Sequence, residues 1–220
     1  VKYQALIFDL DGTLVDSVPD MYIAVNLMLT DLARPVISHA MVSQFVGNGI
    51  EQLVVRALSG DMEPNPLLTE QEISRANELF CHHYLAVLGQ YSQLYPHVET
   101  VLAAFAATPK ALVTNKARCF TEALLQQLGI ASHFQVIVCG DDGKKKPSPE
   151  PLLKACQQLG VEPAQALMIG DSKSDLLAAQ AAAMDALALS GGYHQGEDLR
   201  QYNPEYLCDQ FLDIITAINR

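Results

Sequence analysis

Apolar residues in this chain fall into two patterns. Brief, nearly unbroken apolar runs occur at residues 5–8, 111–113, 136–139, 166–169 and 186–189. Runs this short suit strands buried on both faces of a sheet. Between the last four lie stretches at 117–128, 149–159 and 175–183 whose apolar residues recur at helical spacing. Gly129 and Gly160 stand where glycines end helices. Strands alternating with helices require crossover connections and predict a parallel, doubly wound α/β sheet of Rossmann-like type. In such sheets ligands bind outside the carboxyl ends of the strands, so the residues just after each run are the first place to look for chemistry.

The alternation breaks after the first run. From residue 16 to about residue 91 the pattern is helical only. Ser17-Val18-Pro19-Asp20 is a helix start with proline in the first turn, and Met21, Val25, Met28, Leu29 and Leu32 follow at helical spacing as core positions. Residues 61–68, with Pro64 and Pro66, read as a loop and 70–90 as a further helix. Alternation resumes at Pro96, with a helix over 97–106, and residues 205–218 read as a closing helix. The expected division is a catalytic core of residues 1–15 and 92–220 with an inserted all-helical cap of residues 16–91, a normal size for such a lobe. Residues 16–19 and 91–96 are the expected hinges.

Composition narrows the partners. Half of the 220 residues are hydrophobic and 18% are charged, enough for a sizeable core. A formal net charge of -11 argues against nucleic acid or an anionic membrane as partner. An enzyme of anionic substrates must then gather its few cations, or a bound metal, at the site. The five cysteines form no CxxC pair and no zinc-like spacing, and read as reduced thiols. No signal-peptide pattern or membrane-length apolar stretch occurs. The expectation is a soluble cytoplasmic protein, monomeric or homodimeric.

Four motifs follow the predicted core strands. Asp9 and Asp11 close the first strand, before Gly12 and Thr13. Two acids there call for a hard cation between them, and Mg2+ keeps room in its shell for a substrate phosphate. Gly12 allows a close backbone approach to an anion, and Thr13 caps the turn or holds a phosphate oxygen. Thr114-Asn115-Lys116 follows the second core strand and reads either as a helix N-cap or as polar groups facing the crevice. Lys144-Lys145-Lys146-Pro147 follows the third; Lys144 and Lys145 suit a solvated loop, whereas Pro147 restricts Lys146, the better candidate for phosphate. Gly170-Asp171-Ser172-Lys173-Ser174-Asp175 follows the fourth, as a capping loop or as further acids on the same edge. Each motif alone has an ordinary explanation. Together they supply the parts of phosphoryl transfer: nucleophile, metal ligands, acid/base and positive charge.

In this order, the Asp9–Thr13 stretch, Thr114-Asn115, Lys146 and Gly170-Asp171 with Asp175 resemble the motifs of the haloacid dehalogenase superfamily. The resemblance implies a helical C1-type cap over a Rossmann-like core and an aspartyl-phosphate mechanism. It implies Asp9 as nucleophile, Asp11 as acid/base, and Thr114 and Lys146 as holders of the phosphate. Mg2+ is then bound by Asp9, the backbone carbonyl of Asp11, and Asp171, with Asp175 a direct or water-mediated ligand. Asp11 argues against the dehalogenase and phosphonatase branches. Val46-Gly47-Asn48-Gly49 with Arg56, Leu94-Tyr95-Pro96-His97-Val98 and Gly192-Tyr193 further resemble bacterial phosphoglycolate phosphatases, which implies a small phosphorylated metabolite, 2-phosphoglycolate, as substrate. Gly47, Asn48 and Gly49 open a helix whose amides suit a carboxylate, with Arg56 as a spare cation. Gly12, Thr13 and Asn115 complete the expected substrate-binding set. Ser148, Ser174 and Ser190 depart from the subfamily pattern and bear on substrate identity. The alternatives are a phosphatase or mutase of another small substrate such as a sugar phosphate, and a non-enzymatic phospholigand-binding protein.

Overall fold

The computed structural model describes residues 2–219. The chain runs β1 (Ala5–Phe8), β2 (Val15–Asp16), α1 (Val18–Asp31), α2 (His39–Phe45), α3 (Ile50–Ser59), α4 (Glu70–Val87), β3 (Gln93–Leu94), α5 (Val98–Ala104) and β4 (Lys110–Val113). It continues with α6 (Arg118–Gln127), β5 (Val136–Val138), α7 (Glu150–Leu159), β6 (Ala166–Gly170), α8 (Lys173–Ala181), β7 (Asp185–Leu189), β8 (Tyr206–Cys208) and α9 (Asp213–Ile218).

Every residue of β1, β4 and β6 is buried, which is why these strands read as continuous apolar runs. Successive residues still face opposite layers. Leu6 and Phe8 pack into one core with Leu112, Leu167 and Ile169, whereas Ala5 and Ile7 pack into the other with Ala111, Val113 and Met168. The strand order is β5-β4-β1-β6-β7-β8, parallel throughout. The order reverses at β1, so the crevice beyond its carboxyl end is the topological switch point at which this architecture binds ligands.

Between β2 and β3 the chain forms four helices. Thr69 and Glu72 cap α4 reciprocally, and Gly60 ends α3 in the left-handed conformation. Met21, Val25, Met28 and Leu29 are buried on α1, which packs along α4. The insertion leaves and re-enters the core through a two-strand antiparallel ribbon, β2 with β3. Asp20, fully buried in the first turn of α1, ties the two joints together. It accepts from Gly89 N (2.6 Å), Tyr91 N (2.8 Å) and the Ser92 hydroxyl.

The expected closing helix at 205–218 is corrected by the structure. Tyr206-Leu207-Cys208 is instead the sixth parallel strand of the sheet, paired with Leu187–Leu189, and only Asp213–Ile218 is helical. Asn203, in the left-handed region at φ +48°, and Pro204 break any right-handed helix there, and the following triplet suits a half-exposed edge. Replacing Asp20 by Ala strands three buried or half-buried donors and is expected to cost about 3 kcal/mol in denaturant unfolding. A loss below about 0.5 kcal/mol would show that this clamp is dispensable.

Candidate active site

Asp9 ends β1 and is 8% exposed. The loop behind it turns at Gly12, which has φ +89°; a Cβ there would lie 2.2 Å from Asp171 Oδ2 and 2.9 Å from the Tyr193 ring. Glycine is required so that this loop can close on Asp171. The Gly12 amide donates to Val15 O (2.9 Å), so it is already used and does not face a ligand as expected. Thr13 is likewise committed: its hydroxyl donates to Asp171 Oδ1 (2.6 Å), orienting that acid instead of holding a phosphate oxygen.

Asp171 follows β6, and its second oxygen accepts from Tyr193 N (2.6 Å). Asp175 lies in the first turn of α8, where Oδ2 accepts from the Ser172 amide (3.0 Å) and hydroxyl (2.7 Å). Carboxylate oxygens of Asp9, Asp171 and Asp175 lie within 4.8 Å of one another, all three residues buried. Lys146 is 3% exposed. Its ammonium donates to Asp175 Oδ1 (2.6 Å) and Val113 O (2.7 Å) and sits 2.8 Å from Asp9 Oδ1. That last contact is a close ion pair, and Lys146 is, among the described residues, the one cation shared between Asp9 and Asp175.

Three carboxylates and one ammonium leave two formal negative charges buried together. Burial, only partly offset by Lys146, pushes the Asp9 carboxyl up to about 7. Burial, with Asp175 and Asp9 beside it, holds Asp171 well above the ordinary carboxylate range. Burial acts to lower Lys146, but Asp175 and Asp9 outweigh it and the group is raised. The clustered hard oxygen donors and the charge excess both fit a divalent cation.

Asp11 stands apart from the triad. Its carboxylate accepts from the Ser17 hydroxyl (2.6 Å) and, through both oxygens, from Lys116 Nζ (2.9 and 3.0 Å). Lys116 is 4% exposed, and Asp11 raises its pKa against the lowering effect of burial. The sequence reading passed over this lysine, although it follows a core strand directly beside Thr114 and Asn115.

Thr114 and Asn115 line a cavity of about 30 Å³ with Asp9, Asp11 and Lys116. Its roof is Gly47, Gly49, Leu53, Phe80 and Tyr84 of the helical insertion. The Asn115 amide is a tie: it accepts from Lys146 N (2.9 Å) and donates to Lys146 O (3.0 Å) and Gly47 O (3.2 Å). Gly49, at φ +89°, begins α3 and leaves the helix N-terminus open to the cavity. Lys145, expected in a solvated loop, brings its ammonium against Gly49, where a Cβ would lie 2.9 Å from Nζ. Arg56 does not reach the cavity. Its guanidinium is held by Phe45 O and Asn48 Oδ1 (both 2.9 Å), bracing the loop it was expected to assist. Asn48 thereby turns its side chain away from Asp9, toward Arg56 and Ser174.

Tyr193 is a further residue that sequence reading left without a role. Its amide holds Asp171, while its phenol accepts from Ser17 N (2.9 Å) and Val18 N (3.1 Å) and donates to Asp16 Oδ1 (2.5 Å). It joins a triad ligand to the first joint of the insertion.

A parallel sheet broken after β1 by a helical insertion, with acids after β1 and β6 and a lysine after β5, defines a class. The family model for haloacid dehalogenase-like hydrolases matches residues 6–189, and the chain belongs to that family. Among curated relatives, the chain is 41% identical over 220 residues to a phosphoglycolate phosphatase of Colwellia psychrerythraea, spanning 99% of this chain and 97% of that one. It is 44% identical over 216 residues to a phosphoglycolate phosphatase of Psychrobacter arcticus, spanning 96% and 94%. A crystal structure of a predicted phosphoglycolate phosphatase from Haemophilus somnus superposes with a TM-score of 0.91 at 32% identity, covering 100% and 99% of the two chains.

In the metal-free protein Asp9 and Asp171 hold protons more tightly folded than unfolded. Their contribution to stability therefore falls as pH rises from about 4, the unfolded value, through the folded value of Asp9, about 7. A divalent cation removes that penalty and competes with the protons. Saturating Mg2+ is expected to raise the melting temperature more at pH 8 than at pH 5 in scanning fluorimetry; equal shifts would contradict this electrostatic reading.

Proposed function

We propose that this chain is a Mg2+-dependent phosphomonoesterase that works through an aspartyl-phosphate and acts on 2-phosphoglycolate. The observation that carries the reading is the separation of two acid sets around one cavity. Asp9, clustered with Asp171, Asp175 and Lys146 behind it, lines the cavity on one side, and Asp11 with Lys116 lines it on the other. Residues 1–15 and 92–220 are proposed as the catalytic core, and 16–91 as the cap.

In this reading Asp9, Asp171 and the backbone carbonyl of Asp11, with Asp175 in support, would hold Mg2+, which would neutralise charge on the transferring phosphoryl group. The Asp9 carboxylate attacks phosphorus as the bond to the leaving oxygen breaks, and Asp11 gives its proton to that oxygen. Water then loses a proton to Asp11 and attacks phosphorus. This frees Asp9 and inorganic phosphate. Thr114 holds a phosphate oxygen through its hydroxyl, and Lys146 steadies phosphate and nucleophile.

The substrate assignment rests on two supports. The relatives named above are phosphoglycolate phosphatases over almost their whole length. The N-terminus of α3, which opens onto the cavity, also suits a carboxylate. The same proposal places the enzyme in the cytoplasm, with its cysteines unpaired.

The test is phosphate release with Mg2+ from a panel including 2-phosphoglycolate, hexose phosphates, nucleotides and pyrophosphate. The highest kcat/KM is expected on 2-phosphoglycolate. A better ester would replace the substrate assignment, and hexose phosphate isomerised without phosphate release would make the protein a mutase.

A further inference from the structure

Tyr84, on α4, belongs to none of the motifs, yet it reaches the centre of the site. It is 0% exposed, and its buried hydroxyl faces the Lys116 ammonium, the polar partner it has among the described residues. The ring leaves it little freedom. It stacks on Phe80 at 5.3 Å, packs against Phe120 of the core at 5.0 Å, and has the Lys116 ammonium 5.0 Å from its centroid. The phenol therefore opens onto the cavity shared by Asp11 and Lys116. An ammonium can only donate, so the phenol accepts from Lys116 and still has its own proton to place. A cavity of about 30 Å³ has room for a water on that hydroxyl, and a ligand oxygen placed there would displace the water and take the bond.

We infer that Tyr84 is a specificity-determining residue whose hydroxyl donates a hydrogen bond to a carboxylate on the leaving group of the substrate. The inference rests on the phosphatase reading above and deepens it. Asp11 must stand at the leaving oxygen to protonate it. Tyr84 and Lys116 lie just beyond Asp11 on the side of the cap, where the carbon skeleton of a small ester would sit. That corner combines a phenol donor, an ammonium and the open amides at the start of α3, and suits an anion. A neutral alkyl group there would leave the hydroxyl proton unpaired, so the same residue disfavours esters without a carboxylate.

Tyr84→Phe removes the hydroxyl and keeps the ring. Wild type and variant are compared on 2-phosphoglycolate and on ethyl phosphate, which lacks the carboxylate. Wild type is expected to prefer 2-phosphoglycolate. The variant is expected to lose about tenfold in kcat/KM on that ester, mainly through KM, with ethyl phosphate unchanged. Its melting temperature is expected to stay within a few degrees of wild type, because the ring and its packing on Phe80 and Phe120 are kept. Equal losses on both esters, or no loss on either, would overturn the role of Tyr84 and leave the phosphatase reading standing. A wild type without preference for 2-phosphoglycolate would overturn the substrate assignment and the role of Tyr84 with it.

Discussion

The rest of the site depends on one electrostatic constraint: three carboxylates and one ammonium are buried side by side. Lys146 reaches Asp9 and Asp175 at once, yet cannot balance three acids. The surroundings are arranged to hold this set in register. Thr13 and the Tyr193 amide fix the two oxygens of Asp171, Ser172 fixes Asp175, and Asn115 grips the backbone of Lys146 from both sides. Two glycines exist for the same reason, since a side chain at Gly12 or Gly192 would collide with Asp171. What remains unbalanced is the charge of a divalent cation, supplied by residues rigid enough to keep it in place.

Asp11 escapes this constraint by having a lysine of its own. Two neighbouring acids in one loop are thus given different tasks by their surroundings, the general way in which paired carboxylates take on separate roles. The partners of Asp11 come from both sides of the crevice: Lys116 from the sheet, and Ser17 from the joint leading into the helices. Asp20, four residues on from Asp16, binds the returning strand, and Tyr193 binds the outgoing one. The joints of the insertion are therefore wired to the chemistry through hydrogen bonds that a rearrangement of the helices would disturb.

Much of this was legible in the sequence, because the information was local. Buried parallel strands leave apolar runs, and the polar residues after them mark the crevice without knowledge of distant contacts. The failures share the opposite cause. Thr13 serves a partner 158 residues away, so its neighbours in sequence do not reveal its task. Gly12, read as an anion-binding glycine, is shaped by Asp171. Arg56 looked like a free cation until the loop it braces was seen folded over it. Strand β8 is not legible as a strand because its identity comes from pairing with β7, and the β2–β3 ribbon is too short to show a period. Tyr84 sits in a helical stripe of apolar residues, where a buried tyrosine reads as packing; only the folded chain brings its hydroxyl to Lys116 at the cavity.

The central claim is that Asp9 becomes phosphorylated during turnover. The most direct measurement is acid quenching of the enzyme with Mg2+ and substrate, followed by borohydride reduction and peptide mass spectrometry. Borohydride converts an acyl phosphate on aspartate to homoserine. The account predicts homoserine at position 9, dependent on substrate and metal. Turnover with no trapped residue, or with trapping at a different one, would contradict it.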